Sequence, residues 1–165
     1  MILFEKITNS FSSDIFSCSN FAMEDESSAY DGCTFYLNDS KMHYRKAKST
    51  SKKEGQFVTF WKRIPTGVIA PFEHLDDFNF LIVAVESELE SGYFLFPKEV
   101  LATKNIVSTA VNEGKRAFRI YPPWNIPKNK QAITSQRWQL QYFLNKNASD
   151  YFLREEMILK HVKTS

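Results

Sequence analysis

The stretch FNFLIVAVE (residues 78–86) constrains the fold of this chain more than any other. Every position from Phe80 to Val85 is apolar, without the alternation of a strand that has one face in water. Such a strand must be covered on both faces, so it predicts a central position in a sheet with packing layers on either side. GYFLFP (92–97) follows after a short turn and is predicted to be its neighbour.

Further strands and helices are predicted around this centre. The predicted strands are CTFYLN (33–38), KMHYRKAK (41–48), QFVTFWKR (56–63) and KRAFRIYPP (115–123). The predicted helices are KEVLATKNI (98–106) and KQAITSQRWQLQYFLNK (130–146), the second with an apolar stripe of Ile133, Leu140, Phe143 and Leu144. Residues 38–40 predict a hairpin turn, and residues 8–20 a connecting segment. Strands mixed with helices predict an α/β fold, a single domain with a central mixed sheet flanked by helices.

Composition narrows the class of protein. Fifteen phenylalanines and only five glycines among 165 residues predict a compact, aromatic-rich domain with no glycine-rich phosphate loop. No apolar run approaches the length of a membrane span, and the start MILFEKITNSF lacks the core of a signal peptide, so a cytoplasmic location is expected. The two cysteines are expected to be reduced, and the three scattered histidines predict no structural zinc site.

The segment YRKAKSTSKKEGQFVTFWKR (44–63) is a candidate binding surface. From Lys41 to Arg63 there are eight basic residues against one acid, Glu54, whereas the whole chain carries only +2. The aromatic residues Tyr44, Phe57, Phe60 and Trp61 are interspersed with them. Concentrated positive charge beside flat rings favours a polyanion with stackable bases. The acidic residues between 73 and 90 balance this run and are expected to form a solvated edge.

Several strings resemble the MepB-like family, a small bacterial family whose members accompany a multidrug efflux operon in some species. The strings are 44–63, the apolar strand 78–86, GYFLFPKEVL (92–101), GKRAFRIYPPW (114–124) and SQRWQLQYF (135–143), and the similarity runs from about Glu24 to Phe143. The resemblance implies a restriction-endonuclease-like fold. Nucleases of that class carry an Asp, then a Glu-x-Lys on the following strand, and the two carboxylates bind a divalent metal.

The matching positions in this chain are Asp31, Lys46 and Lys48. Lys46 stands where the motif requires a glutamate, and an ammonium group repels a hard cation instead of ligating it. No catalytic residue and no cofactor are therefore predicted. If the protein is catalytic, Asp31 and Lys48 are the candidate residues. What the resemblance leaves is a basic groove on a nuclease-like scaffold.

The predicted function is non-catalytic binding of nucleic acid or a nucleotide, with no membrane partner. The sequence does not define an oligomeric state. The predicted contact residues are Tyr44, Arg45, Lys46, Lys48, Lys53, Gln56, Trp61, Lys62, Arg63, Arg119, Gln136 and Trp138. Tyr44, Trp61 and Trp138 would stack bases, and the cations would hold phosphates. For some of these residues an architectural role is an open alternative: Gln56 and Trp61 as core residues, Gln136 as a cap on a backbone group, and Arg119 as the ion-pair partner of Glu86.

Two other functions remain open at this stage. One is a metal-dependent nuclease in which Glu26 replaces the missing glutamate, with a divalent metal held by Glu26, Asp31 and Asp77. The other is a small-molecule or regulatory protein linked to multidrug efflux, which requires an apolar pocket lined by phenylalanine and tryptophan.

Overall fold

A computed structural model of the protein describes residues 2–145. Its main sheet has six strands in the order β1-β2-β3-β8-β9-β11. These strands are β1 (Cys18–Met23), β2 (Cys33–Leu37), β3 (Ser40–Lys46), β8 (Phe80–Glu86), β9 (Ser91–Pro97) and β11 (Phe143–Asn145). β3 and β8 run parallel, and the other neighbours run antiparallel. The predicted α/β fold with a central mixed sheet is confirmed.

β8 lies in the middle of this sheet and is buried from Phe80 to Val85. Alternate side chains of the sheet enter two separate apolar clusters, one on each face. Helix α1 (Leu3–Phe11) packs on the first cluster through Ile7 and Phe11. Helices α2 (Lys98–Thr103) and α3 (Lys130–Gln139) contribute to the second cluster. The predicted two-sided burial of strand 78–86 is therefore confirmed.

The predicted hairpin also forms. β2 and β3 pair antiparallel, with Leu37 opposite Ser40, so that Asn38 and Asp39 make a two-residue turn. Asn38 has a φ of 51°, the left-handed conformation that asparagine tolerates better than most residues.

A smaller sheet holds part of the basic segment. It consists of β10 (Ala117–Ile120), β5 (Gln56–Thr59) and β4 (Lys48–Ser49), in that order. The predicted strand 41–48 is therefore divided at Ala47, which leaves Lys46 in the main sheet and Lys48 in the small one. The predicted strand 56–63 is likewise divided into β5 and β6 (Lys62–Arg63), and β6 pairs with β7 (Ile69–Ala70).

The helix predicted over 130–146 is wrong beyond Gln139. The chain continues as a 3₁₀ turn (Leu140–Tyr142) and then as β11, which pairs with β9. A strand sends successive side chains to opposite faces, and here Phe143 enters one apolar cluster while Leu144 enters the other. A helix could not reach both. Ile133, predicted on the apolar stripe, is 39% exposed, and residue 146 of that prediction lies outside the described residues.

β1 was missed inside the segment predicted as a connection, because four of its six residues are exposed at the sheet edge and show no apolar alternation. Cys33 is a buried free thiol, and Cys18 is half-buried. Within residues 2–145 no helix is long and apolar enough to cross a membrane.

Candidate functional site

Two of the predicted contact residues lie in the interior. Arg45 is 0% exposed and Tyr44 is 1% exposed, so the predictions that they bind a phosphate and stack a base are wrong. Arg45 Nη2 donates to Glu24 Oε2 at 2.6 Å, and Arg45 Nη1 donates to the Tyr44 carbonyl oxygen at 2.9 Å. His43 Nδ1 lies 3.0 Å from Glu24 Oε1. Burial lowers the pKa of His43, so the ring makes this bond in its neutral form. A buried charge that loses its partner is costly, so Glu24 and Arg45 depend on each other in this fold.

Three more cations of the basic segment are neutralised by acids distant in sequence. Lys46 Nζ lies 2.7 Å from Glu86, and Lys62 Nζ lies 2.7 Å from Glu73 and 2.8 Å from Asp76. Arg63 pairs with Glu26 and also lies 5.5 Å from the centroid of the Trp61 ring. These pairs disperse the charge that the sequence concentrates between residues 41 and 63. The segment as a whole is therefore not an unpaired basic surface.

The two predicted glutamines take architectural roles. Gln56 is buried, and its Nε2 donates to the Glu86 carbonyl oxygen at 3.1 Å. Gln136 Nε2 donates to the carbonyl oxygens of Pro122 and Asn125, at 3.0 and 2.9 Å. Each amide satisfies backbone groups that would otherwise lack a partner, which is the architectural alternative raised by the sequence.

The positions that match the nuclease motif do come together. Asp31, Lys46 and Lys48 line one cleft of about 690 Å³, and Glu86 lies in the same cleft. The hydrogen bond from Lys46 holds the pKa of Glu86 below its ordinary value, so an ammonium–carboxylate pair occupies this cleft.

The alternative metal site at Glu26, Asp31 and Asp77, which the sequence left open, does not form among the described residues. In the described part of the chain, no three His, Cys, Asp or Glu side chains converge to hold a metal ion. Glu26 instead faces Arg63, with which it forms an ion pair.

A second cleft gathers lysines that form no ion pair with the described residues. It has a volume of about 540 Å³ and lies between β10, the segment 104–115 and one side of α3 along its whole length. The cations that line it are Lys53, Lys104, Lys115, Arg119 and Lys128, with Glu54 as its acid. None of these four lysines forms an ion pair with any residue that the structure describes. We call this site the lysine cleft.

The wall of the lysine cleft is built by α3. Asn129 caps the helix by accepting a hydrogen bond from the Ala132 amide at 2.8 Å, so the positive end of the helix dipole lies at the cleft. Trp138 lines the same wall, with its ring 5.4 Å from Phe96 and the Lys104 ammonium 5.6 Å from its centroid. Glu54 accepts hydrogen bonds from the Ile126 amide and the Asn125 side chain, which hold its pKa below the ordinary value.

The floor of the cleft is tied to this helix. The buried Gln139 accepts from the Tyr121 amide at 2.8 Å and donates to the Arg119 carbonyl at 3.0 Å. The cleft therefore unites three residues predicted from sequence, Lys53, Arg119 and Trp138. The other three lysines were missed, because each is a single charge in an ordinary stretch of sequence and only the fold brings them together.

The sequence left open an ion pair between Arg119 and Glu86, but the structure does not form it. The Arg119 guanidinium binds the loop of residues 50–55 instead. Its Nε donates to the Glu54 carbonyl at 3.1 Å, and its Nη2 donates to Thr50 Oγ1 at 2.7 Å and to the Gly55 carbonyl at 3.1 Å. This loop, which we call the Arg119-held loop, carries Lys53 to the rim of the lysine cleft.

Gly55 ends the Arg119-held loop, and its replacement by alanine should destabilise the fold. Its φ of +85° is left-handed, and an added Cβ would lie 2.7 Å from the Tyr121 ring and 2.9 Å from the Ile120 carbonyl oxygen. Gly67 is the matched control, because its φ is +90° but a Cβ there meets nothing within 4 Å. We expect Gly55→Ala to lower the free energy of unfolding by about 1–3 kcal/mol more than Gly67→Ala. Urea unfolding of both variants measures the difference, and equal losses would contradict the expectation.

Comparison with known proteins places this fold among relatives. A family model described as MepB-like matches residues 24–145. A solved structure reported as the crystal structure of MepB is 34% identical, covers 90% of this chain and 100% of its own, and superposes with a TM-score of 0.79. The bacterial homing endonuclease I-Ssp6803I is 17% identical, over 76% of this chain and 78% of its own, with a TM-score of 0.43. A search of curated proteins finds no match. With most of its length matched by the family and by a solved relative, the chain belongs to the MepB-like family.

Proposed function

We propose that this protein binds nucleic acid or nucleotides through the lysine cleft, by holding their phosphate groups. The observation that carries the proposal is the set of four lysines around one cleft without an acidic partner among the described residues. Cations whose charge is already neutralised gain little from a phosphate, whereas an unpaired lysine that neutralises a phosphate releases a counterion condensed on the nucleic acid. The surface that best fits a polyanion is therefore the lysine cleft and not the segment 41–63.

The size and wall of the cleft suit the same ligand. A volume of about 540 Å³ lies in the range of clefts that hold nucleotide-sized molecules. The α3 N-terminus favours an anion, and Trp138 offers part of an aromatic ring beside the cations. Nucleic acids and nucleotides are abundant inside cells, so the proposal includes a cytoplasmic location.

Neither competing function gains comparable support. A nuclease could use Asp31 and Lys48, which share a cleft, but Glu86, a carboxylate of the same cleft, is bound by Lys46. An efflux-type ligand needs an apolar pocket, whereas six of the sixteen residues that line the lysine cleft are charged. The proposal therefore remains binding without hydrolysis.

A salt titration tests the proposal. We expect a fluorescently labelled single strand to bind at about 50 mM salt and to lose roughly fifty-fold in affinity at about 200 mM, since four lysine–phosphate contacts give a logarithmic slope near −3 for single strands. Fluorescence anisotropy with DNA, RNA, duplex and free nucleoside triphosphates as separate ligands measures this slope. If none of these ligands binds at the lower salt concentration, the proposed function is wrong.

A further inference from the structure

The outer face of the small sheet carries an aromatic ring between two cations. In an antiparallel sheet, residues directly opposite each other point to the same face. Phe57 on β5 lies opposite Lys48 on β4 and opposite Arg119 on β10. Their neighbours Val58 and Phe118 are buried on the other face. The three side chains therefore form one row across the sheet, on the face turned away from the core.

The ring of Phe57 is not used by the core. It is half-buried and belongs to neither apolar cluster, whereas Val58 and Phe60 on the same stretch are buried in the second one. Tyr30, from the 3₁₀ helix Asp25–Tyr30, lies beside it with 6.5 Å between ring centroids. The Lys48 ammonium lies 4.7 Å from the Tyr30 centroid. Two rings and a cation thus form a platform, which we call the Phe57 platform.

The charge around the Phe57 platform complements a nucleic-acid backbone. Lys48 is exposed and has no ion pair with a described residue. Arg119 binds carbonyl and hydroxyl oxygens of the Arg119-held loop and so retains its positive charge. The chain from Ser49 to Gly55 forms a polar hollow of about 390 Å³ with Asn125. Lys53 and Glu54 line both this hollow and the lysine cleft, and Ser49 follows Lys48 directly in the chain.

We infer that the Phe57 platform stacks the bases of single-stranded nucleic acid. This inference rests on the proposed function, because the phosphates of the same strand would be held in the lysine cleft. Stacking requires an exposed base face, which a duplex conceals within its own stack and a single strand offers. Aromatic rings stack on any base, so the platform distinguishes single strands from duplexes but does not select a base sequence.

Binding to a matched pair of oligonucleotides tests the inference. One is a labelled single strand, and the other has the same length and phosphates but abasic sugars. Phe57→Leu keeps an apolar side chain but removes the ring. We expect it to lower the affinity for the base-containing strand by about ten-fold and to leave the affinity for the abasic strand unchanged. Phe57→Tyr keeps a ring and should bind both as the wild type does. Lys53→Ala should lower the affinity for both strands equally, since that side chain would contact only phosphates.

The two proposals fail in different ways. Equal affinity of Phe57→Leu and the wild type for the base-containing strand would overturn the inference and leave the proposed function standing. Absence of binding by either strand to the wild type would overturn both.

A measurement on the wild type removes any dependence on variant folding. Ultraviolet crosslinking of a thiouracil-containing strand, followed by mass spectrometry, should attach the base to the peptide that contains Phe57 or Tyr30. Crosslinks confined to Trp138 would place the bases in the cleft and overturn the inference.

Discussion

Replacing Lys104, Lys115 and Lys128 together with alanine should lower the affinity for a single strand on the order of a hundred-fold at low salt. The reason is that none of these lysines forms an ion pair with a described residue, so each would lose a phosphate contact at the lysine cleft. The logarithmic salt slope should fall in magnitude by about 2, since each lost contact removes about 0.7. Anisotropy titrations at several salt concentrations measure both quantities.

The matched control is a triple variant that removes as much positive charge from the paired cations. Lys46, Lys62 and Arg63 each lie against a carboxylate, so their replacement by alanine should change the affinity by only a few-fold. If the control loses as much affinity as the cleft variant, binding follows the net charge of the protein and not the cleft. If it loses more, the interface lies along the segment 41–63.

Replacing Glu24 with glutamine should lower the free energy of unfolding by about 3 kcal/mol, because the Arg45 charge would then be buried without a counter-charge. Glu26→Gln is the matched control. Its pair with Arg63 is about half exposed on both sides, so we expect a loss of less than about 1 kcal/mol. Urea unfolding at pH 7 compares the two, and similar losses would show that the buried pair contributes no more than a surface one.

The same pair gives a pH dependence of known sign. Burial raises the pKa of Glu24, but the hydrogen bond with His43 and the charge of Arg45 outweigh this and hold it below the ordinary value of 4.5. A carboxyl whose pKa is lowered on folding stabilises the fold above its ordinary pKa and loses that contribution as the pH falls through the folded value. The stability difference between wild type and Glu24→Gln should therefore be complete at pH 7 and shrink below about pH 4.5. A difference that grows on acidification would contradict this assignment.

The sequence predicts the centre of the fold well, because burial there leaves a local pattern. Strand 78–86 has no polar position to place in water, and the turn after Leu37 has residues that suit its conformation. The prediction fails where tertiary contacts decide. Phe143 and Leu144 fit the apolar stripe of a helix equally well, and only the free edge of β9 draws them into a strand.

The candidate site is less predictable, since the charge of a segment does not reveal its partners. The acids that neutralise Arg45 and Lys62 come from other parts of the chain, so the local sequence pattern does not predict them. Conversely, Lys104, Lys115 and Lys128 are unremarkable in sequence, yet the fold assembles them around one cleft. Phe57 was seen as an interspersed aromatic residue, but its exposure follows from the register of the small sheet.

The hydrogen bonds of Arg119 have a consequence for the kinetics of binding. The loop that carries Lys53 is fixed by four hydrogen bonds from Arg119 within the free protein, so a ligand does not have to order it. Preorganisation of this kind removes the conformational entropy loss that a mobile binding loop suffers on association. The rate of capture is then set by diffusion and by the attraction between opposite charges, and not by a folding step.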